Sequence, residues 1–472
     1  MGNAVGVIIT VMVSLVLIVA LIPEMMPGEG GGDDTDADAV KLFGSGYNGF
    51  GQMGQGNTVD VLTPTQIPGD YTDITQVVAS GNTTLFIDGG KLYGFGDNEY
   101  GQLAAGTERK VLVPTQIGDF ENVTFVAAST HMTFFIDQGR LFGMGNNAQG
   151  QIGTGDRNNV LVPTQIGTFS NVTFVACSER SAFFIDQGRL FGMGSNQYGQ
   201  QGDGGTNDVL VPTMQGAFTN VTFVAPSNTT TFFIDQGRLY GLGNNAQGQI
   251  GQGTASIVPS ATRIGDYTNV TDVSTTRYTT FFVDSGKLFG SGFNSSGQQG
   301  QGNRVTQTAF AQVGTFSNVT KVVAADNTTV FLDSGKLHGM GNNTYGQLGQ
   351  GSTDNALSPV QIADGNIKDF TVRDYTAYWL DGVTLYGTGS SSLGQLGTGN
   401  TNDVLIPVQI GDVGVSAFSA TGYTVLFLVK PSVTPGGDGD NDLNGLTNLL
   451  VPVIITLLFV ALILFAIRSF TT

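Results

Sequence analysis

The chain is poor in cysteine, histidine, tryptophan and charge, and each shortage removes a class of function. One cysteine in 472 residues, Cys177, excludes an internal disulfide and any site built from several thiolates. His131 and His338 are the only histidines, so a histidine-rich metal centre is excluded too, and neither a metal nor a cofactor is expected. Charged residues make up 12% of the chain, and 37 acids against 19 bases give a formal charge of −18. Phosphate backbones attract basic surfaces, so a nucleic-acid partner is not expected. Between residues 41 and 429 no window places apolar residues at i, i+3, i+4 and i+7, which removes amphipathic helices.

What is abundant is glycine, 70 residues of it, together with Asn, Gln and Thr, the composition of a turn-rich β protein. A G-x-G pattern begins at Gly44, Gly94, Gly143, Gly192, Gly241, Gly290, Gly339 and Gly387, at intervals of 50, then 49 five times, then 48. Each unit reads as four short strands: VTFVA, TFFID, a tight turn, RLFGMG, a long loop GQIGTG, and VLVPTQI. Four strands per unit, repeated radially, fit the blade of a β-propeller.

Units such as LFGMGNNAQGQIGTGDRNNVLVPTQI (141–166), LHGMGNNTYGQLGQGSTDNALSPVQI (337–362) and LYGTGSSSLGQLGTGNTNDVLIPVQI (385–410) resemble the repeat of the regulator of chromosome condensation family. The shared features are the G-x-G, the following G-Q-x-G and the later Pro beside a β-branched residue, over residues 41–429. That resemblance implies a propeller, typically of seven blades. Here eight third-strand motifs face eight first-strand segments, beginning at Val77, Val126, Val175, Val224, Val273, Val322, Phe370 and Phe418. Eight blades are expected, with seven as the alternative.

The last copy, TVLFLVKPSVTPGG (424–437), lacks the Asp and the turn that the others carry. The chain enters on the third strand of a blade at Lys41-Leu42 and leaves on a second strand at Val429, so the two incomplete units should complete one another and close the ring. Asp88, Asp137, Asp186, Asp235, Asp284, Asp333 and Asp381 each open a hairpin between second and third strands. In six units Lys91, Arg140, Arg189, Arg238, Lys287 or Lys336 follows three residues on, with Thr384 in the last, which predicts local turn chemistry and charge pairing.

Residues 4–22 and 449–467 are apolar runs of about 19 residues, each nearly long enough as a helix to cross a membrane. The expected organisation is an N-terminal transmembrane helix (1–22), an acidic Gly/Pro linker (23–40), the propeller (41–429), a second linker (430–445), a second transmembrane helix (446–468) and a tail (469–472). The whole fold is therefore expected to be all-β, an eight-bladed propeller closed by its terminal strands and flanked by two membrane helices. Arg468 beyond the second helix and the acidic linkers on the propeller side place both termini in the cytoplasm or interior and the propeller outside, on a cell or virion surface. Segment 438–445, DGDNDLNG, fails as a calcium loop because Leu443 stands where Gly is required.

Ten N-x-S/T sequons agree with an exterior location, and Asn82, Asn228 and Asn327, in first-to-second-strand loops, read as the better glycosylation candidates than the repeated NVT element. No catalytic constellation is recognisable: His131 is replaced by Arg180, Thr229 and Thr328 in other units. The family namesake acts on chromatin and the Ran GTPase, which an acidic, tethered chain is poorly built to engage. Its photoreceptor relative depends on clustered tryptophans, and Trp379 is alone here. The resemblance thus implies a non-enzymatic interaction platform for a protein or glycan. Arg157, Arg180, Arg277 and Tyr375, in loops released from the repeat, are the expected partner contacts. An architectural role in a homo- or hetero-assembly is the alternative, with a loop-based hydrolase, lyase or exchange-factor-like regulator as a distant third.

Overall fold

The computed structural model describes residues 39–106, 109–253, 256–373 and 375–430. Thirty-two strands form eight four-stranded antiparallel sheets. Seven follow the chain in order and are numbered as blades 1 to 7: 74–116, 123–165, 172–214, 221–263, 270–312, 319–364 and 367–410. Blade 8 is composite, with Val415–Ala420 and Thr424–Val429 from the end of the propeller and Lys41–Gly46 and Val61–Gln66 from its start. Lys41 pairs with Val429 and Gly46 with Thr424, so the two incomplete units do complete one another. Eight blades, not seven, close the ring.

First strands begin three residues before the apolar run that marks them, at Ile74, Val123 and their equivalents. A bulge after the opening residue breaks the alternation that the run would otherwise show. These strands touch their counterparts in neighbouring blades around the axis, while the fourth strands form the outer wall. Second strands are buried on both faces, as Thr133 to Ile136 illustrate, which is why they read as unbroken apolar runs. In blade 2, Phe135 stacks on Phe142 across the strand pair at 5.2 Å, and Phe120 from the preceding loop meets both edge-on at 4.8 Å. A buried aromatic contributes about 1.5–3 kcal/mol, so this trio, repeated with small changes in blades 1 to 6, is a main source of blade stability. In blade 6 the third-strand member is His338, stacked on Phe331, and partial burial lowers its pKa below the usual imidazole value. His338 is a packing residue.

The two glycines of G-x-G have different causes. A Cβ on Gly143 would lie 2.8 Å from the Phe134 ring, inside the blade core. Gly145 has φ of 109°, and a Cβ there would sit 2.3 Å from the His131 carbonyl. The hairpins after the aspartates are two-residue turns; Gln138 (φ 49°) and Gly139 (φ 72°) give the I′ geometry that matches strand twist. In blade 7 the sequence is Gly382-Val383, and positive φ moves to the first position alone, since a β-branched residue resists that region.

Among the described residues every regular element is a strand, and no helix is long and apolar enough to cross a membrane. The apolar runs at 4–22 and 449–467, and nearly all of both linkers, lie outside the described residues.

Candidate functional site

Alternating strand direction gives the ring two rims. One carries the second-to-third-strand hairpins and the two ends of the propeller, Lys41 and Val429; the other carries the first-to-second and third-to-fourth-strand loops. The first rim is uniform. Asp137 Oδ1 accepts the backbone N–H of Asn122 at 3.2 Å, and Asp186, Asp235, Asp284, Asp333 and Asp381 accept the N–H fifteen residues before them in the same way. Asp88 accepts from Thr72 and Asp73. These carboxylates tie the incoming loop to the hairpin. The expected charge pairing is therefore corrected: among the described residues only Arg140 joins its aspartate, Asp137, at 2.9 Å. Backbone N–H groups occupy the carboxylates instead, and bases across a tight turn gain little at a solvated rim.

The opposite rim is built on a buried amide framework. Asn147 Oδ1 accepts the N–H of Ile152 at 2.8 Å while its Nδ2 donates to the Asp156 carbonyl at 3.1 Å, fixing the third-to-fourth-strand loop. Gln200 Oε1 accepts the Tyr198 N–H at 2.9 Å, and its Nε2 reaches the Asn228 carbonyl of the next blade at 3.3 Å. Gln249, Gln298 and Gln395 span the next blade junctions in the same manner. At these junctions, and at the one between blades 8 and 1 through Gln52, the glutamine of G-Q-x-G is thus an inter-blade latch, whereas Gln151 and Gln347 bond within their own blades. In blade 7 Ser391 replaces the asparagine, and its buried hydroxyl has no hydrogen-bond partner.

On this framework the residue preceding each second strand is Asn82, His131, Arg180, Thr229, Tyr278, Asn327, Tyr375 or Tyr423. His131 therefore corresponds to Asn327, not Thr328, and its ring packs against Tyr100 at 4.6 Å. Of the four expected contacts, Arg180 and Arg277 are brought together. Both line one polar cavity of about 160 Å³, shared with Glu179, Ser195, Gln197, Tyr198, Asn228 and Thr229. Arg157 is elsewhere, bound to the Asp208 carboxylate of the next blade and to the Ala148 carbonyl, and acts as a strut. Tyr375 lies on blade 7, 42% exposed and packed against Tyr345.

The two sets of sequons differ in exposure. Asn82, Asn228 and Asn327 are half-buried, with side chains bonded to Gln52, Glu179 and Gln298 respectively. Asn122, Asn171, Asn220, Asn269 and Asn318 of the NVT element are exposed, on the rim of the propeller ends. Loop position alone could not distinguish a side chain drawn down to the preceding blade from one left in solvent.

A third feature escaped the sequence reading. The third residue of each first strand faces the axis, and around the ring it is Gln76, Phe125, Phe174, Phe223, Asp272, Lys321, Asp369 and Ala417. The three phenylalanines are in successive contact at 5.6 and 5.7 Å. Gln76 bonds both backbone groups of Val126, Asp272 accepts the Val322 N–H at 2.8 Å, and Lys321 pairs with Asp369. Gln76 and Asp272 thus satisfy backbone groups of the neighbouring innermost strand, while Lys321 and Asp369 pair with one another across the blade junction. Their signal was present, as departures from the unit TFV.

Comparison with known proteins bears on the fold. Four segments, residues 41–87, 89–136, 138–185 and 334–372, match the regulator of chromosome condensation (RCC1) repeat. The first three run from the third strand of one blade to the second strand of the next, the phase in which the chain enters and leaves the ring. Human WBSCR16 is similar in structure, with a TM-score of 0.59 and 18% identity over 84% of this chain and 100% of that one. Prp20p from Saccharomyces cerevisiae, described with its binding to Gsp1p and histones, gives 0.59 at 17% identity, covering 84% and 93%. Yeast RCC1 (Prp20), solved with Kap60, gives 0.58 at 17% identity, covering 88% and 96%. No curated protein matches in sequence.

Proposed function

We propose that this protein is a non-enzymatic recognition or adhesion module, a propeller held outside a membrane by the apolar runs at 4–22 and 449–467. The observation that carries the reading is the pairing of Lys41 with Val429. Two adjacent strand ends lead toward the two apolar runs, so both anchors depart from one rim and the other rim is left for a partner. The RCC1-type propeller is compatible with protein binding, as the Prp20p description of Gsp1p and histones illustrates for that protein. Both termini are placed in the cytoplasm or virion interior. Arg180, Arg277 and Tyr375 are the proposed contacts, and Arg157 supports the loop beside them.

The test uses the full-length chain expressed in intact cells. External protease should reach the propeller without permeabilisation, and Arg180→Ala with Arg277→Ala should reduce attachment to the partner surface at least tenfold. Protection of the propeller in intact cells would reverse the topology.

A second reading, an architectural subunit, is favoured by the outer wall of blades 1 to 3. Val113, Leu161, Val162, Val211 and Met214 are exposed there on adjacent fourth strands, where blades 4 to 6 present Ser260, Ala309 and Ser358. Pro114, Pro163 and Pro212 interrupt these edges, so side-chain packing and not strand addition would join copies. The mass of the detergent-solubilised particle separates a monomer from such an assembly.

A further inference from the structure

The cavity between blades 3, 4 and 5 has a local cause. At two junctions of this rim, a ring from a third-to-fourth-strand loop is covered by a ring from the next blade: Tyr100 by His131 at 4.6 Å, and Tyr345 by Tyr375 at 4.5 Å. At the junction of blades 3 and 4 the equivalent residues are Tyr198 and Thr229. Threonine cannot cover the tyrosine, and a space of about 160 Å³ opens beside it. That is the size that holds one six-membered ring.

The lining decides what kind of ring. Arg180 and Arg277 are exposed on opposite sides of Thr229, and neither guanidinium has a carboxylate within ion-pair distance among the described residues. Their main chains are fixed: the Arg180 carbonyl accepts the Ser195 N–H at 2.8 Å, and the Arg277 carbonyl accepts from Gln249 and Thr229. Arg277 also rests on the Tyr278 ring. The one acid of the site, Glu179, is held by the Asn228 amide at 3.1 Å. The pocket therefore has one positive charge in excess, on a chain whose net charge is −18. The planar guanidinium fork matches a carboxylate, and Ser195, Gln197, Asn228 and Thr229 surround it with hydroxyl and amide groups suited to a polyhydroxylated ring. The half-buried ring of Tyr198 forms one wall.

We infer that this pocket binds a single carboxylated sugar residue, such as the acidic terminus of a glycan. The inference rests on the proposed recognition role of this rim and specifies its ligand class. A dianionic phosphate would encounter Glu179, and an acidic peptide side chain would leave most of the polar lining unused.

Full-length protein in detergent is titrated with methyl glycosides of glucuronic acid and N-acetylneuraminic acid, with their methyl esters, and with inorganic phosphate and an oligoglutamate peptide. At least one acid glycoside should bind, its ester at least tenfold more weakly, and Arg180→Ala and Arg277→Ala should each weaken binding at least tenfold. Thr229→Tyr, which supplies the missing ring over Tyr198, should abolish binding while leaving the melting temperature unchanged. Equal binding of phosphate or oligoglutamate would replace the sugar with an unspecific anion. Binding that survives Thr229→Tyr would overturn the pocket. If no acid glycoside binds while the arginine variants still lose surface attachment, the sugar class fails and the recognition rim stands. If the glycoside binds and attachment is unaffected, the rim reading fails and the pocket stands.

Discussion

On the rim where the ends of the propeller, Lys41 and Val429, meet, seven aspartates from Asp88 to Asp381 bind the backbone of the loop entering their own blade, all with the same fifteen-residue offset. On the opposite rim the residue before the second strand changes at nearly every blade: Asn, His, Arg, Thr, Tyr, Asn, Tyr, Tyr. Both rims are solvent-exposed loop regions of the same eight blades, so exposure does not explain the difference. The first rim must satisfy a hairpin and an incoming loop at every blade, and a carboxylate does both jobs in one short contact. On the second rim those duties fall to buried Asn and Gln below the surface, which frees the side chains above them. A repeat protein thus varies where its framework has moved inward, and that is where a partner can be read.

The comparison can be broken from either side. The largest effect is expected from removing Thr424–Val429, which takes the buried Val425, Leu426, Phe427 and Leu428 out of blade 8 and leaves Lys41–Gly46 and Val415–Ala420 without their shared partner strand. Truncating one such side chain costs about 2–5 kcal/mol, so loss of the strand should abolish the cooperative thermal transition and make the ring susceptible to limited proteolysis. Next is Gly145→Ala, where positive φ and the His131 carbonyl act together; a loss of about 2–4 kcal/mol is expected by denaturant unfolding. Asp186→Ala should cost about 1–3 kcal/mol by leaving the Asn171 N–H unpaired, whereas Asp186→Asn, which keeps the acceptor, should cost less than half as much. Ser391→Asn should stabilise by about 1 kcal/mol, restoring to blade 7 the loop bonds that Asn147 makes in blade 2. The smallest effect on folding is expected from Arg180→Ala with Arg277→Ala, within about 0.5 kcal/mol, because both side chains are exposed and unpaired in ion bridges among the described residues.

The period of the G-x-G motif made the blade number legible, and Val429 in place of the turn aspartate made the closure legible. Strand order followed, because antiparallel neighbours joined by two-residue turns allow little else. The site was legible only as a set of loops. Arg157 read as free until its partner Asp208, 51 residues away, was placed beside it. Arg180 and Arg277 are almost two units apart in sequence, and their meeting depends on the small Thr229 between them. The environment of the sequon asparagines was hidden for the same reason: Asn228 is drawn to Glu179 of the preceding blade. Contacts across blade junctions link positions a full repeat apart, and periodicity records that they are equivalent without recording which side chains touch.

The central claim is that the rim away from the propeller ends is the functional face. It is tested most directly by measuring attachment of the full-length protein to its partner surface for two sets of variants. One set changes Arg180, Arg277 and Tyr375 to Ala; the other changes Lys91, Arg189, Arg238 and Lys287 on the rim of the propeller ends. Loss of attachment of at least tenfold in the first set, with wild-type attachment in the second, is the predicted result. Wild-type attachment in the first set with loss in the second would contradict it and move recognition to the rim where Lys41 and Val429 meet.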